Sequence, residues 1–410
     1  MMKLDIQFYY RNFGVYPPDW PFTACVWPPE SGRQLFDTRV SFGLRNAPEM
    51  TQRVTAAIVW ILHDQGYLGI IGLMDDFAVF ADTPEECQRQ FDALERLLTE
   101  LGFLVHPPGA GESKRSERPT QRLVLSGILW DSSSMEMSLD ATKITSVQHA
   151  ISDLRANSRP TLKLVQSAGG LLSWAAPMID GGRLFQQRLW RATHGVSHKQ
   201  LHVRLTKSVY LDLDWWDENL ERYNGTAHLL PLADRRPAIR IVTDATGDGD
   251  IGIFWDGAFI YLNQTQVRQL CPEIPPGDLH VQTWEAAAPL CAFRLFRDLM
   301  TGHEIHCLVD NTGARSGFSR GAIRHEPTMC VLRAAFYETR FNNARIMAGW
   351  IAGKSNPLAD AVSRLHEPHQ ASRLADLIIQ EHDAGRLPGN RRPRLAWLRG
   401  LAPDPRRGSG

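Results

Sequence analysis

Two adjacent acids, Asp75 and Asp76, interrupt the apolar run LGIIGLMDDFAVFA, Leu68 to Ala81, whose flanks hold Ile70, Ile71, Leu73, Val79 and Phe80. Burying a carboxylate without a partner is costly, and a bound cation is the simplest compensation. A third acid, Asp5, stands between Leu4 and Ile6 in a strand-like stretch. Carboxylates brought together from separate strands can hold a pair of Mg²⁺ ions, one activating an attacking hydroxyl and the other binding a triphosphate and its leaving group. Four further acids, Asp244, Glu285, Asp310 and Asp360, stand far along the chain at strand ends and in helices. Meeting at one edge of a mixed sheet, they would form a second two-metal site that activates water against a phosphodiester. Each acid taken alone also fits an ordinary surface turn or a solvated helix cap.

The elements around these residues follow from pattern. The run at 68–81 reads as a β-hairpin, strands 68–74 and 77–81, with the acids at its tip. Met50, Val54, Ala57, Ile58, Ile61 and Leu62 recur at helical spacing after FGLRNAP, Phe42 to Pro48. Thr83, Pro84 and Glu86 give a capped start to a helix striped by Cys87, Phe91, Leu94, Leu97 and Leu98. Arg122 to Trp130 reads as a strand after the polar loop 107–120, and 140–200 reads as helical. His194, His198 and His202 would share one face if 183–204 were a continuous helix, the geometry of a metal site, but Gly195 and the lack of a nearby acid favour a solvated basic helix. Pro231 to Pro237 reads as a linker. Beyond it, strands at 239–244, 305–310 and 344–350 alternate with helices opening at Trp284-Glu285 and around 327–341 and 356–365, and the pattern weakens after His366.

Composition narrows the classes. The 410 residues suffice for two or three domains, and 43% hydrophobic with 22% charged residues is ordinary for a globular chain. Forty-five basic residues balance 45 acidic ones, so net charge neither favours nor opposes a nucleic-acid partner. The six cysteines form no CxxC, which argues against a zinc knuckle or disulfide scaffold and for a reducing, intracellular setting, cytoplasmic or nuclear. The start MMKLDIQFYYR lacks the features of a secretory signal, and no continuous apolar segment is long enough to span a bilayer, so no membrane association is expected. The last twenty residues hold six arginines and three prolines and read as a basic tail.

Residues 1–135 resemble the palm of a retroelement reverse transcriptase, particularly of the DIRS-like and related retrotransposons. KLDIQFYY is similar to the first catalytic motif, FGLRNAP to the template- and primer-contacting motif, MDDF to the second catalytic motif, LGFLVHP to the segment after it, and LVLSGILWD to the primer-grip hairpin. The resemblance implies metal ligation by Asp5 and Asp75 with Asp76 beside them, and an aromatic gate against the ribose 2′-OH at Tyr10. It also implies nucleotide or template contact by Phe42, Gly43, Leu44, Arg45 and Pro48. Met74 stands where the family usually has tyrosine, and Lys114 is the candidate for the lysine that assists the leaving pyrophosphate. Family members carry basic finger segments before the first motif. The expectation is therefore a chain truncated before it, whose polymerase activity by itself is doubtful.

Residues 238–366 resemble a ribonuclease H domain. TDATGDGDIG, HVQTWEAAAPL, LVDNTGA and GWIAGKSNPLADAVSRL are similar to its four acidic motifs, which implies metal ligation by Asp244, Glu285, Asp310 and Asp360. Asn311 and Lys354 would meet the substrate. The expected organisation is α+β: a partial palm over 1–135, a helical thumb or connection with linker over 136–237, an α/β ribonuclease H-like domain with a mixed sheet over 238–366, and a weakly structured helix with basic tail over 367–410. Lys199, Arg204 and Lys207 in the connection would contact duplex phosphates without reading bases. Two Mg²⁺ ions, or Mn²⁺, are implied at each centre. The implied partners are an RNA template, a DNA primer, the RNA–DNA hybrid, dNTPs where polymerisation survives, and other retroelement proteins. The alternative is an inactive nucleic-acid-binding remnant.

Overall fold

The computed structural model describes residues 1–225, 227–228, 238–255 and 258–385. The chain divides into two units, the first built from Met1–Lys143 with the short strand Ala227–His228, the second from Ile144–Asn224 and the described residues from 238 onward.

The first unit contains β1 (Met2–Asp5), β2 (Ala24–Val26), β3 (Gln34–Phe36), α1 (Ala47–Asp64), β4 (Ile70–Leu73), β5 (Asp76–Val79), α2 (Pro84–Glu100), β6 (Arg122–Leu125), β7 (Ile128–Asp131), β8 (Glu136–Leu139) and β9 (Ala227–His228). Antiparallel sheet β1-β5-β4 is backed by α1 and α2, and Leu4, Ile6, Ile58, Leu62, Ile70, Phe77, Phe91 and Leu94 form its core. β1 does not alternate, because all four of its residues are buried. Its outer edge is covered: Asp5 N–H donates to Lys114 O at 2.9 Å, and Ser116 N–H donates to Lys3 O at 2.9 Å. The polar loop at 107–120 is thereby stitched to the strand bearing Asp5. The stretch 122–131, a strand by pattern over 122–130 and a hairpin by resemblance at LVLSGILWD, is a hairpin, β6 and β7, turning at Ser126-Gly127, both with positive φ as a two-residue hairpin loop requires. It belongs to a second antiparallel sheet, β6-β7-β8-β9.

The second unit opens within helix α3 (Ala141–Ala156) and continues with α4 (Leu162–Ala175), α5 (Gln187–Ala192) and α6 (Lys207–Asn219). The basic helix expected over 183–204 does not form: α5 ends at Ala192, and His194, His198 and His202 lie in turns and extended chain, exposed. Gly195, at φ 79°, takes a backbone conformation that continues no helix. Then follow β10 (Ala238–Ala245), β11 (Ile251–Trp255), β12 (Ala258–Leu262), α7 (Gln264–Leu270), α8 (Val281–Leu295), α9 (Arg297–Met300), β13 (Glu304–Val309), α10 (Thr312–Arg320), α11 (Glu326–Phe341), β14 (Arg345–Trp350), α12 (Pro357–Ser363) and α13 (Gln370–Asp383).

Five strands make one mixed sheet, β12-β11-β10-β13-β14, with β10 antiparallel to β11 and parallel to β13. A mixed α/β sheet is what the sequence predicts here. α8 is buried from Thr283 to Phe293, which is why its sequence is apolar almost all round. Past His366 the chain is better ordered than its weak pattern suggests, since α13 packs Leu374, Ala375 and Ile378 against Ala361, Val362 and Phe254. The linker at 231–237 and the basic tail at 391–410 lie outside the described residues. No helix among the described residues is long and apolar enough to cross a membrane.

Candidate active site

In the first unit the strand register sets Asp5 directly across from Asp76, and Asp75 occupies the turn just before β5. The acids are thus slightly offset from the expected symmetric tip. Met74 takes φ 53°, a conformation that costs a non-glycine residue roughly 1–2 kcal/mol. Two side chains of α1 hold it there: Gln52 Oε1 accepts the Met74 N–H at 2.7 Å, and Thr55 Oγ1 donates to Met74 O at 2.7 Å. Burial pushes the Asp75 carboxyl above its ordinary range, and the charges of Asp5 and Asp76 add to the shift.

Two lysines and a histidine already crowd this cluster. Lys114 Nζ donates to Asp5 Oδ2 at 2.8 Å, His106 Nε2 lies 3.5 Å from Asp5 Oδ1, and Lys3 Nζ lies 3.1 Å from Asp76 Oδ1. Asp76 Oδ1 accepts no hydrogen bond of good geometry, so its pairing with Lys3 is electrostatic rather than directional. Lys3 and His106 were not singled out from sequence, although both fall inside quoted motifs, KLDIQFYY and LGFLVHP. The Tyr10 hydroxyl donates weakly to Met74 Sδ at 3.6 Å, and its ring meets Phe42 edge-on at 5.1 Å. Phe42 is 79% exposed, Arg45 is exposed, Gly43 takes φ 94°, and Pro48 sits in the first turn of α1.

The second unit gathers its acids differently. β10 and β13 are parallel neighbours, so Asp244 near the end of one and Asp310 just past the end of the other emerge side by side. α8 contributes Glu285 from its first turns. Ligand oxygens of Asp244, Glu285 and Asp310 lie within 4.8 Å of one another. Among the described residues Asp5, Asp75 and Asp76 form no such triad.

Asp244 and Glu285 are buried and Asp310 is half-buried. Glu285 Oε1 accepts the Ala245 N–H at 3.2 Å, whereas Oε2 is buried with no hydrogen-bond partner. Burial, then the charges of Asp244 and Asp310, push the Glu285 carboxyl up to about 9. Burial likewise pushes Asp244 up to about 6, against the lowering effect of a hydrogen bond from Ser363 Oγ to Asp244 Oδ2 at 2.6 Å. Three hard oxygen ligands, one lacking any partner, fit a divalent cation such as Mg²⁺ or Mn²⁺.

The fourth acid stands apart. Asp360 Oδ1 accepts from Arg364 Nε at 3.1 Å and Oδ2 from Arg373 Nη1 at 2.9 Å, so both its oxygens are engaged by guanidinium groups. α12, which bears it, lies close against β11 at Gly252, where a Cβ would come within 2.4 Å of Ala359 O and Ser363 N. Only glycine permits that approach, which brings Ser363 to Asp244. Asn356 supports the same region by donating to Thr243 O at 3.1 Å. Sequence reading missed Ser363 and Arg364 as partners although both fall inside a quoted motif, and missed Arg373 because it lies beyond the motif on α13.

Asn311 caps α10, its Oδ1 accepting the Ala314 N–H at 2.9 Å. Lys354 is exposed on a short turn whose Gly353 lies so near Asp310 that a Cβ there would be 3.1 Å from Oδ2. Lys199, Arg204 and Lys207 are exposed around the start of α6.

No protein-family model and no curated protein matches the chain. Among solved structures it is similar to the foamy viral protease-reverse transcriptase dRH in complex with double-stranded DNA, at 17% identity and TM-score 0.45 over 85% of this chain and 56% of that one. It is also similar to the foamy viral protease-reverse transcriptase in complex with an RNA/DNA hybrid, at 15% identity and TM-score 0.46 over 85% of this chain and 43% of that one. A third structure, of that protein with double-stranded DNA, gives 16% identity and TM-score 0.46 over 86% of this chain and 67% of that one. This chain spans about half the length of the first two. At these values the likeness is one of coarse chain path, and the acidic clusters described above are independent of it.

Proposed function

We propose that the second unit hydrolyses phosphodiester bonds in the RNA strand of RNA–DNA hybrids. We further propose that the chain is part of a retroelement polyprotein, of the DIRS-like or a related kind, in which such cleavage accompanies RNA-directed DNA synthesis. The observation that supports this reading is the convergence of Asp244, Glu285 and Asp310 from three elements, with a buried and unpartnered oxygen on Glu285. A carboxylate so placed is costly to bury as an anion, and either a proton shared with Asp310 or a bound cation would offset that cost.

Mg²⁺ or Mn²⁺ bound here would supply positive charge to a phosphate and an activated water. Asp244, Glu285 and Asp310 would hold it, and the Glu285 carboxyl, raised to about 9 by burial, would have to give up its proton to do so. Ser363 fixes the Asp244 carboxylate through its hydroxyl. Asp360 is the proposed ligand for a second ion. Asn311 and Lys354 would face the nucleic-acid backbone, and Lys199, Arg204 and Lys207 would add phosphate contacts that make binding salt-dependent. Discrimination of the RNA strand would rest on duplex shape and the 2′-OH groups.

For the first unit we propose descent from a polymerase palm, with Asp5, Asp75 and Asp76 as its metal-binding acids and Tyr10, Phe42, Gly43, Arg45, Pro48 and Lys114 around the nucleotide. The parts would be a palm at 1–135, thumb or connection at 136–237, ribonuclease H-like domain at 238–366 and a C-terminal segment at 367–410. A second reading, binding without polymerisation, is favoured by the lysines that already neutralise Asp5 and Asp76.

The test is incubation of the full chain with Mg²⁺ and a hybrid labelled on its RNA strand. The proposal expects shortened RNA that chelation abolishes; intact RNA under conditions in which the hybrid is bound overturns it, and leaves the binding-only reading. Primer extension on an RNA template separates the two readings of the first unit.

A further inference from the structure

The arrangement around Asp360 is the feature that the acidic triad leaves unexplained. Each oxygen of its carboxylate accepts a charge-assisted hydrogen bond, one from Arg364 a single turn further along the same helical segment and one from Arg373 on α13. Such bonds are about twice as strong as neutral ones, and a cation approaching this carboxylate meets two guanidinium charges beside it, which oppose it by repulsion. Arg364 is also drawn toward Asp244 and Glu367, so it belongs to the wider charge pattern of the site. Arg373 is different, because its position depends on a separate element.

α13 is anchored by Ala371, Leu374, Ala375 and Ile378, and α12 supplies Ala361 and Val362 to the same core. Arg373 therefore stands on a helix fixed to the one that bears Asp360, and Gln370 Oε1 accepts a further bond from its Nη1 at 3.2 Å. Its side chain remains 45% exposed, so the guanidinium is open to a competing anion from solution.

We propose that Arg373, acting with Arg364, is a latch on Asp360: the resting chain takes one divalent cation on Asp244, Glu285 and Asp310, and Asp360 joins a second only when a nucleic-acid phosphate draws Arg373 away. This rests on the hydrolytic reading of the triad and adds a control to it. Arg373 is a positioning residue in this scheme, acting through Asp360.

The experiment is Mn²⁺ titration of the full chain, followed by electron paramagnetic resonance and calorimetry, which needs no turnover. Wild type takes up one tight ion, and Asp310→Asn loses it. Arg373→Gln, a half-exposed surface change that the core of α13 tolerates, gains a second ion at least about tenfold tighter than wild type, the order expected when one charge-assisted hydrogen bond no longer competes. Arg373→Lys restores the one-ion behaviour, and the double variant Arg364→Gln/Arg373→Gln binds the second ion at least as tightly as Arg373→Gln. An RNA–DNA hybrid with non-hydrolysable linkages moves wild type toward Arg373→Gln. Equal second-ion affinity in wild type and Arg373→Gln overturns the latch while the first ion still supports the triad. A hybrid without effect on wild type overturns the release by phosphate. Absence of any tight ion in wild type overturns the triad as a metal centre and the latch with it.

Discussion

Ser363 Oγ donates to Asp244 Oδ2 at 2.6 Å, so the last residue of α12 holds the first acid of the cluster. The bond stabilises the ionised carboxylate against a burial that pushes its pKa up to about 6. Ser363→Ala is expected to raise that pKa further and to weaken Mn²⁺ binding at pH 7 about tenfold, as loss of a hydrogen bond to a metal ligand does. It should lower stability by roughly 1–2 kcal/mol. Metal titration and urea unfolding of the variant check both effects.

The same burial makes stability depend on pH in an unusual direction. Glu285 is raised from an ordinary 4.5 to about 9, so between those values the folded chain keeps a proton that the unfolded chain has lost. Raising the pH through this window favours the unfolded chain, which binds fewer protons, and stability present at low pH is lost as pH approaches the folded value. The metal-free protein should therefore melt at lower temperature as pH rises across this window. Glu285→Gln should remove most of that slope. Mg²⁺, which binds the deprotonated set, should raise the melting temperature more at the alkaline end than at the acid end. A metal-free melting temperature that climbs with pH equally in both proteins contradicts the assignment.

In the first unit the two lysines on the acids differ in burial. The Lys3 side chain is 8% exposed and that of Lys114 is 46% exposed. The acids left behind differ the other way: Asp5, beside Lys114, is 7% exposed, and Asp76, beside Lys3, is 29% exposed. The more deeply buried stranded carboxylate is the costlier one, so Lys114→Met is expected to cost roughly 2 kcal/mol and Lys3→Met about 1 kcal/mol in urea unfolding. The reverse order would show that Asp76, not Asp5, is the acid whose charge the fold must offset.

A buried ion network joins α5 and α6 to α11 within the second unit. Asp212 accepts from Arg333 at 3.0 Å and from Arg188 at 2.9 Å, and Arg333 also donates to Leu184 O at 2.8 Å. Burial pulls Arg333 down to about 10 and pushes Asp212 up, the signature of two charges taken out of water together. Asp212→Ala leaves Arg188 and Arg333 with Glu326 as their remaining carboxylate, at 3.0 and 3.4 Å, and should cost roughly 3 kcal/mol. Because the residues before 225 share this network with α11, the loss should appear as one cooperative transition of the whole second unit, followed by tryptophan fluorescence at Trp215 and Trp216.

Much of the architecture was legible because its signals are local. The acidic hairpin, the capped helix at Thr83 and the apolar helix at Glu285 each announce themselves by periodicity or a cap, and each is present. What sequence reading missed depends on distant pairing. Lys114 sits on Asp5 because the loop around it hydrogen-bonds along β1, a relationship between residues 109 positions apart. The histidine helix failed because spacing alone does not supply a continuous backbone through Gly195. α13 was undervalued because its short stripe acquires meaning only against α12. The separation of Asp360 from the triad could not be read at all, since it follows from which arginines fold back onto it.

The central claim is that Asp244, Glu285 and Asp310 form a hydrolytic metal centre, and cleavage of an RNA–DNA hybrid by wild type and Asp310→Asn side by side tests it most directly. With Mg²⁺ present, wild type should cut the RNA strand and spare the DNA strand, while Asp310→Asn, folded by circular dichroism, should be slower by a factor of about 100 or more, the scale of losing a principal electrostatic contribution to the transition state. Equal cleavage by the two proteins, or cleavage by neither, would contradict the claim.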